Sequence, residues 1–301
     1  MNPLPFFHIV LSTFIMQIIY IHHDCFLVLT SRFSLLFDYW TDPLSPDPAY
    51  PQFLSLIPQD KPFFVFVSHH HKDHYSKYIF GWADRFPYIH YILSNDTARF
   101  CRHILSPNSI YAGPRPTSDS VATLRPSEHT VFPLTTSSAH DTPDHVNSSE
   151  SPDTLIVRAF GSTDIGNSWI VETPALRIFH AGDLNAWIWK DESTQQEVNK
   201  ALGDFNHILD TIAEYVESRP IDICFFPVDS RIGSDYFTGA RLFLQRFNIK
   251  NFFPMHFGLG DDAEQLRRRL DAAQANLYLP AGKESTIIGP LAPYGRVASS
   301  L

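Results

Sequence analysis

The sequence predicts an α/β protein built as an αββα sandwich, with two mixed β-sheets packed face to face and helices outside. Three observations lead there. Short apolar runs rich in β-branched and aromatic residues alternate with amphipathic stretches along most of the chain. The alternation falls into two similar halves, and no repeat of fixed period appears, which argues against a solenoid. A chain of 301 residues, 44% of them hydrophobic, buries a sizeable core, as one large α/β domain or two smaller ones.

In chain order, "QIIYIHH", "CFLVLTS" and "SLLFDYW" read as a β-meander, followed by the Pro-rich connection "TDPLSPDPAYPQF" and the buried strand "FFVFVS". A short helix is expected over residues 74–86, a strand at "YILS", a helix at "NDTARFCRHI", and strands at "VATLRP" and "TVFPL". Residues 135–153 are polar, rich in Ser, Pro and Asp, and aperiodic, which predicts a surface loop or insertion with His140 and His145 as bystanders. Strands resume at "TLIVRAFGS", "NSWIVET" and "LRIFHAGD", then a charged helix from about Glu192 to Ser218 and a buried strand "IDICFFPVD". The last third reads helix "GARLFLQRF", strand "NFFPMHF", amphipathic helix "AEQLRRRLDAA" and closing strand "NLYLP".

The formal charge of −9 argues against a generally basic nucleic-acid surface, so long nucleic acid is not the expected partner. Cys25, Cys101 and Cys224 are odd in number, far apart and set among apolar neighbours, which favours buried free thiols and a cytoplasmic compartment. Residues 3–21 carry no formal charge and approach the length of a membrane span. They lack a basic n-region and a small-residue cleavage site, and their second half reads as a buried strand. The expectation is an apolar leader at residues 1–15 and a single domain at 16–301 that needs no membrane, an anchor or signal being the alternative.

Chemistry concentrates in "SHHHKDH". The spacing is His69-x-His71-x-Asp73-His74, directly after a strand. Imidazoles two residues apart in extended backbone share a side, so His69 and His71 can chelate one ion, and the turn that follows aims Asp73 and His74 at a second. His70 faces away by the same alternation. A strand end is where a rigid scaffold presents ligands.

Spacing and setting together resemble the metallo-β-lactamase fold superfamily, and further motifs follow in order over most of residues 16–301. The resemblance implies that Asp38 in "LLFDYW" buttresses the metal loop, that Asp183 in "IFHAGD" bridges two metals, and that His256 in "FFPMHF" serves the second metal. Asp183 would then share a water between two cations about 3.5–4 Å apart, and that water would lose a proton near neutral pH, with Asp73 positioning the nucleophile. One departure stands out: where the family has a third histidine for the first metal, this chain reads "FGSTDIGNSW". Asp164 is the candidate substitute donor there, which would favour manganese, iron or a weakly held first zinc; otherwise it is a turn residue bonding the local backbone and the first site is incomplete.

The wording of "GSTDIGNSWIVE" and "IFHAGDLNAWIW" is distantly similar to the ascorbate-phosphate lactonase group, which implies that His23 of "HHDCF" lines the pocket, the alternative being a strand-end histidine with no catalytic part. Asp229 in "PVDSR" is placed to orient a metal-bound histidine, and His180 either assists Asp183 or packs. Trp187, Trp189, Tyr236 and Phe237 form either an apolar substrate wall or core packing. The resemblance implies a hydrolase holding one or two divalent ions, Zn2+ first and Mn2+ or Fe next, acting on a small molecule with an ester, lactone or phosphoester-type bond. An iron-dependent redox enzyme and a non-catalytic metal-binding protein are the alternatives.

Overall fold

The computed structural model describes residues 16–40, 49–108, 110–134, 153–258, 263–270, 275–280 and 285–288. The leader at 1–15, and the insertion at 135–153 apart from Asp153, lie outside the described residues, as do His140 and His145.

The first half supplies β1 (Gln17–His22), β2 (Cys25–Leu29), β3 (Ser34–Phe37), β4 (Phe63–Val67), β5 (Ile89–Ser94) and β6 (Val121–Leu124). The second supplies β7 (His129–Pro133), β8 (Thr154–Phe160), β9 (Ser168–Thr173), β10 (Leu176–His180), β11 (Ile221–Pro227), β12 (Ile249–Met255) and β13 (Asn276–Leu277). A last strand, β14 (Ser285–Ile288), returns to the first sheet. Among the described residues the two sheets run β14-β1-β2-β3-β4-β5-β6 and β13-β12-β11-β10-β9-β8-β7, each seven-stranded. β1, β2 and β3 pair antiparallel as the expected meander, while β3 to β6 are parallel. In the second sheet β7 to β10 are antiparallel, and β10 to β13 parallel. Both sheets are therefore mixed, as expected.

The apolar runs serve two cores at once. In β4, Phe64 and Phe66 point into the space between the sheets, and Phe63, Val65 and Val67 point outward; β2 divides the same way into Phe26 and Val28 against Cys25 and Leu27. This is the period-2 alternation of a strand buried on both faces. The outer layer of the first sheet is made by Phe53, Leu54, Ile79, Phe80 and Trp82, from two 3₁₀ segments, Gln52–Leu56 and Lys77–Asp84. Over the second sheet lie α3 (Gln195–Val216), which buries Phe205, Leu209, Ile212 and Val216 along one stripe, and α4 (Thr238–Arg246) with Phe243.

Three expectations are corrected. The helix over 74–86 is a 3₁₀ segment confined to Lys77–Asp84. The helix at "NDTARFCRHI" divides at Cys101 into α1 (Asn95–Phe100) and α2 (Arg102–Leu105). "NLYLP" does not close the fold, because its two-residue strand β13 precedes β14. A further helix, α5 (Ala263–Leu270), falls where amphipathicity put it. All three cysteines are buried and free. No helix among the described residues is long and apolar enough to cross a membrane.

Candidate metal centre

The singled-out residues meet along one rim. Asp38 follows β3, His69 to His74 follow β4, Asp183 follows β10, Asp229 follows β11 and His256 follows β12, all at the carboxyl ends of parallel strands. Open parallel sheets leave their crevice there. The β1–β2 turn adds His23 and Asp24 from the same side. Several of these turns use left-handed backbone: φ is 52° at His23, 47° at Asp38 and 53° at His256, all non-glycine. Such conformations cost about 1–3 kcal/mol each and persist where the surroundings fix them.

Two glycines are required by close approach. A Cβ on Gly166 (φ 79°) would lie 2.0 Å from the Ser68 carbonyl oxygen, and one on Gly182 (φ 52°) 2.7 Å from that of Asn167. Asn167 N donates to the Ser68 carbonyl at 2.9 Å. Asn185 N donates to Thr163 Oγ1 at 3.0 Å, and that hydroxyl donates to the Asn185 carbonyl at 2.6 Å. The loop carrying Asp164 is thereby clamped between the histidine loop and the Asp183 loop.

Four donor atoms of His69, His71, Asp164 and Asp183 lie within 4.8 Å of one another. His69 Nε2 is 2.9 Å from His71 Nδ1 and 3.5 Å from Asp183 Oδ2, and His71 Nδ1 is 3.5 Å from Asp164 Oδ2. Burial, followed by the neighbouring His74 charge, pushes His69 down to about 4, so its imidazole is neutral with a lone pair available. Burial and then the Asp183 charge hold the Asp164 carboxyl above its ordinary value.

A second group joins His74, Asp183 and His256. Asp183 Oδ1 is 3.2 Å from His74 Nε2 and 3.1 Å from His256 Nε2, and these three buried atoms have no hydrogen-bond partner. Unpaired buried polar atoms are rare and costly, and three that face one another suit a shared cation. Burial alone would lower both imidazoles; the Asp183 charge at His256, and those of Asp24 and Asp183 at His74, win instead, raising His256 to about 9 and His74 well above its ordinary value. Asp183 is held well below the carboxylate range, because His74 and His256 outweigh its burial.

The other nitrogens are oriented. Asp38 accepts from Ser68 N (2.7 Å), from Ser68 Oγ (2.5 Å) and from His74 Nδ1 (2.9 Å). Asp229 Oδ2 is 3.5 Å from His256 Nδ1 and is itself gripped by Arg231 through Nε at 2.8 and 2.9 Å. His180 is fully buried, stacks on Phe37 at 4.7 Å, and takes the Gly182 N–H at its Nδ1 (3.2 Å) with Nε2 toward the Asp24 carbonyl (3.3 Å). Its place is thus to fix two loops. His70, turned away as expected, pairs with Asp96 at 2.9 Å and stacks on Phe100.

Asp73 stands apart from the four donor groups: its Oδ2 is 3.5 Å from His23 Nε2, and that contact above all depresses its pKa. His23 also packs ring on ring against His256 at 4.1 Å. Trp187 faces His256 at 6.4 Å and donates its Nε1–H to the Asp183 carbonyl (2.8 Å), and Trp189 is exposed. Tyr236 and Phe237 are core residues. Sequence reasoning missed Asp24, which is fully buried with Oδ2 2.6 Å from His74 Nδ1, and Arg231. Asp24 abuts His23 and Arg231 lies two residues after Asp229, so nearness to a residue already singled out was the available signal.

A family model described as "Beta-lactamase superfamily domain" matches residues 17–256. The chain belongs to the metallo-β-lactamase superfamily. Membership places it among that superfamily's metal-dependent enzymes. Of solved structures, Igni18, a metallo hydrolase from the hyperthermophilic archaeon Ignicoccus hospitalis, is similar at 14% identity and TM-score 0.56, over 91% of this chain and 97% of that one. CmlA, a diiron β-hydroxylase from Streptomyces venezuelae, is similar at 12% identity and TM-score 0.52, over 95% of this chain and 55% of that one. These likenesses show the fold, and not the finer likeness to the ascorbate-phosphate lactonase group. No curated protein sequence matches the chain.

Proposed function

We propose that this chain is a metal-dependent hydrolase of small molecules, cleaving an ester, lactone or phosphoester-type bond. His69, His71, Asp164 and Asp183 would hold one divalent cation, and His74, Asp183 and His256 a second, with Zn2+ favoured and Mn2+ or Fe as alternatives. The observation that carries this reading is the trio of buried, unpartnered atoms on His74, Asp183 and His256. Bound divalent cations supply Lewis acidity and acidify water near neutral pH.

The chain's own residues do the rest. Asp38 fixes the His74 tautomer by accepting at Nδ1, which leaves Nε2 facing Asp183. Asp229, anchored by Arg231, lies 3.5 Å from His256 Nδ1 and holds that ring by its charge, with Arg231 Nη2 3.4 Å from the same nitrogen. Asp73, held ionised by His23 and open to solvent, orients the attacking water. Trp187, 6.4 Å from the His256 ring, offers an apolar face to a substrate. The domain would extend over residues 16–301 around the insertion at 135–153, and the free buried thiols fit a cytoplasmic setting; the formal charge of −9 favours a small molecule over long nucleic acid as the partner.

Metal analysis of purified protein tests the reading. Wild type should hold about two ions per chain; Asp183→Ala should lose nearly all, His256→Ala part, and Asp164→Ala the weaker-held ion. A wild type that keeps no metal after purification in zinc-containing buffer would overturn it. A panel of phosphodiester, lactone and thioester substrates then separates the bond types. Iron-dependent redox chemistry is the second reading, favoured by the oxygen donor Asp164 and by the diiron β-hydroxylase that shares the fold. Stoichiometric iron in the isolated protein would select it.

A further inference from the structure

We propose that Arg231, in the loop after β11, receives an anionic group of the substrate, a phosphate or a carboxylate, and thereby narrows the hydrolase reading above, on which the assignment rests, to anionic substrates. The Arg231 backbone N–H donates to Asp229 Oδ1 at 3.0 Å. Its guanidinium Nε is 2.8 and 2.9 Å from the oxygens of the same carboxylate, and Nη2 reaches it as well. That contact uses one edge of the head. A guanidinium offers N–H donors along a second edge too, and among the described residues no hydrogen bond or ion pair reaches Nη1. The Arg231 side chain is 64% exposed although the next residue, Ile232, is buried.

The head stands beside the candidate metal ligands. Nη2 lies 3.4 Å from His256 Nδ1. The hydrogen bond to Asp229 above all raises the Arg231 pKa, and the charges of Asp73 and Asp183 add to it, which puts both carboxylates within electrostatic reach of the guanidinium. Among the described residues Asp24, Asp38, Asp73, Asp164 and Asp183 form ion pairs with histidines alone, so Arg231 is the one arginine or lysine paired with a carboxylate of this rim. Its planar donors match the spacing of carboxylate or phosphate oxygens, and its charge persists at any working pH.

The loop is fixed before a ligand arrives. Gly233 has φ 95°, and a Cβ there would lie 2.6 Å from Asp191 Oδ2. The Asp191 carboxylate takes the Ser234 N–H at 3.0 Å and its hydroxyl at 3.1 Å, and Lys190 pairs with Asp235 at 2.6 Å. These ties join the Arg231 loop to the loop bearing Trp187, whose ring lies 6.4 Å from that of His256. An arginine already held loses little further freedom on binding. One small molecule thus meets a cationic donor and an apolar ring, both beside His256.

The test titrates zinc-loaded full-length wild type, Arg231→Gln, Arg231→Lys and Arg246→Gln with inorganic phosphate and, separately, with acetate by calorimetry, and measures ions per chain in each. Arg231→Gln should bind at least one of the anions about 10–100-fold more weakly at unchanged metal content. Arg231→Lys, which keeps the charge without the planar fork, should fall between, and it decides the matter if Arg231→Gln does not fold. A loss confined to phosphate assigns a phosphorylated substrate, and one confined to acetate a carboxylated one. Arg246→Gln removes an exposed arginine paired with Asp210 ahead of β12, at the opposite end of that strand from His256, and should bind as wild type does. Unchanged anion affinity in either Arg231 variant, no anion binding by wild type, or an equal loss in Arg246→Gln overturns the proposal. Loss of metal in both Arg231 variants overturns it too, because the arginine would then only support Asp229 and His256. A wild type that takes up no metal overturns the hydrolase reading instead, and the same comparison of anion affinities in that protein still decides on Arg231.

Discussion

Asp38 shows how a residue that touches no substrate controls the centre. Its two oxygens accept three hydrogen bonds, two from Ser68 and one from His74 Nδ1, and it is wholly buried. Removing it frees the His74 ring to rotate and strands two donors in the interior. Asp38→Ala should therefore weaken metal affinity by about 10–100-fold while the ligand set is formally intact, as competition against a chromophoric chelator would measure. An unchanged affinity would mean that Asp24 alone holds the ring. At this scale the sequence was informative wherever residues had spacing. His69, His71 and His74 stand in one short segment, and Asp183 and His256 each end an apolar strand. Asp24 has no such signature, since an aspartate in a two-residue turn ordinarily serves the local backbone. Its burial comes from His74 of the first sheet and His180 and His256 of the second closing over the turn, which a one-dimensional pattern does not contain.

At the scale of elements, the strands were legible because each is an apolar run of strand length ended by a turn, and the sandwich followed from their number. What escaped were pieces held by tertiary contact. The 3₁₀ segment Lys77–Asp84 buries Ile79, Phe80 and Trp82 against the first sheet, a spacing that an α-helical reading accommodates equally well. β14 is four residues long and owes its strand state to pairing with β1. By contrast, α3 announces its own start: Thr194 and Glu197 form a capping box, with Glu197 Oε2 taking the Thr194 N–H at 2.8 Å and hydroxyl at 2.7 Å. Thr194→Ala should cost about 1 kcal/mol in urea unfolding. Because Thr194 and Glu197 are exposed and bond to each other rather than to any ligand, metal content should not change; a change would show that the helix start is coupled to the Asp183 loop.

For the whole molecule, proton and metal compete for the same nitrogens. In the metal-free chain His256 titrates at about 9, and His74 also well above its ordinary value, because Asp183 and Asp24 attract the protonated rings more than burial penalises them. A folded-state pKa above the unfolded value of about 6.5 adds stability that is complete below that pH and is lost as pH rises toward 9. Divalent cations reach these nitrogens only after the protons leave, so uptake releases protons and strengthens as pH rises over the same interval. The two effects act in one direction on the difference between loaded and metal-free protein. At fixed free Zn2+ set by a metal buffer, the rise in Tm over a chelator-treated control should therefore grow steadily from pH 6.5 to 9, as thermal unfolding at a series of pH values would record. An increment that stays level or shrinks across that range would mean that the His74 and His256 nitrogens do not bind the ion, and the buried trio around Asp183 would then have to be held together by its protons alone.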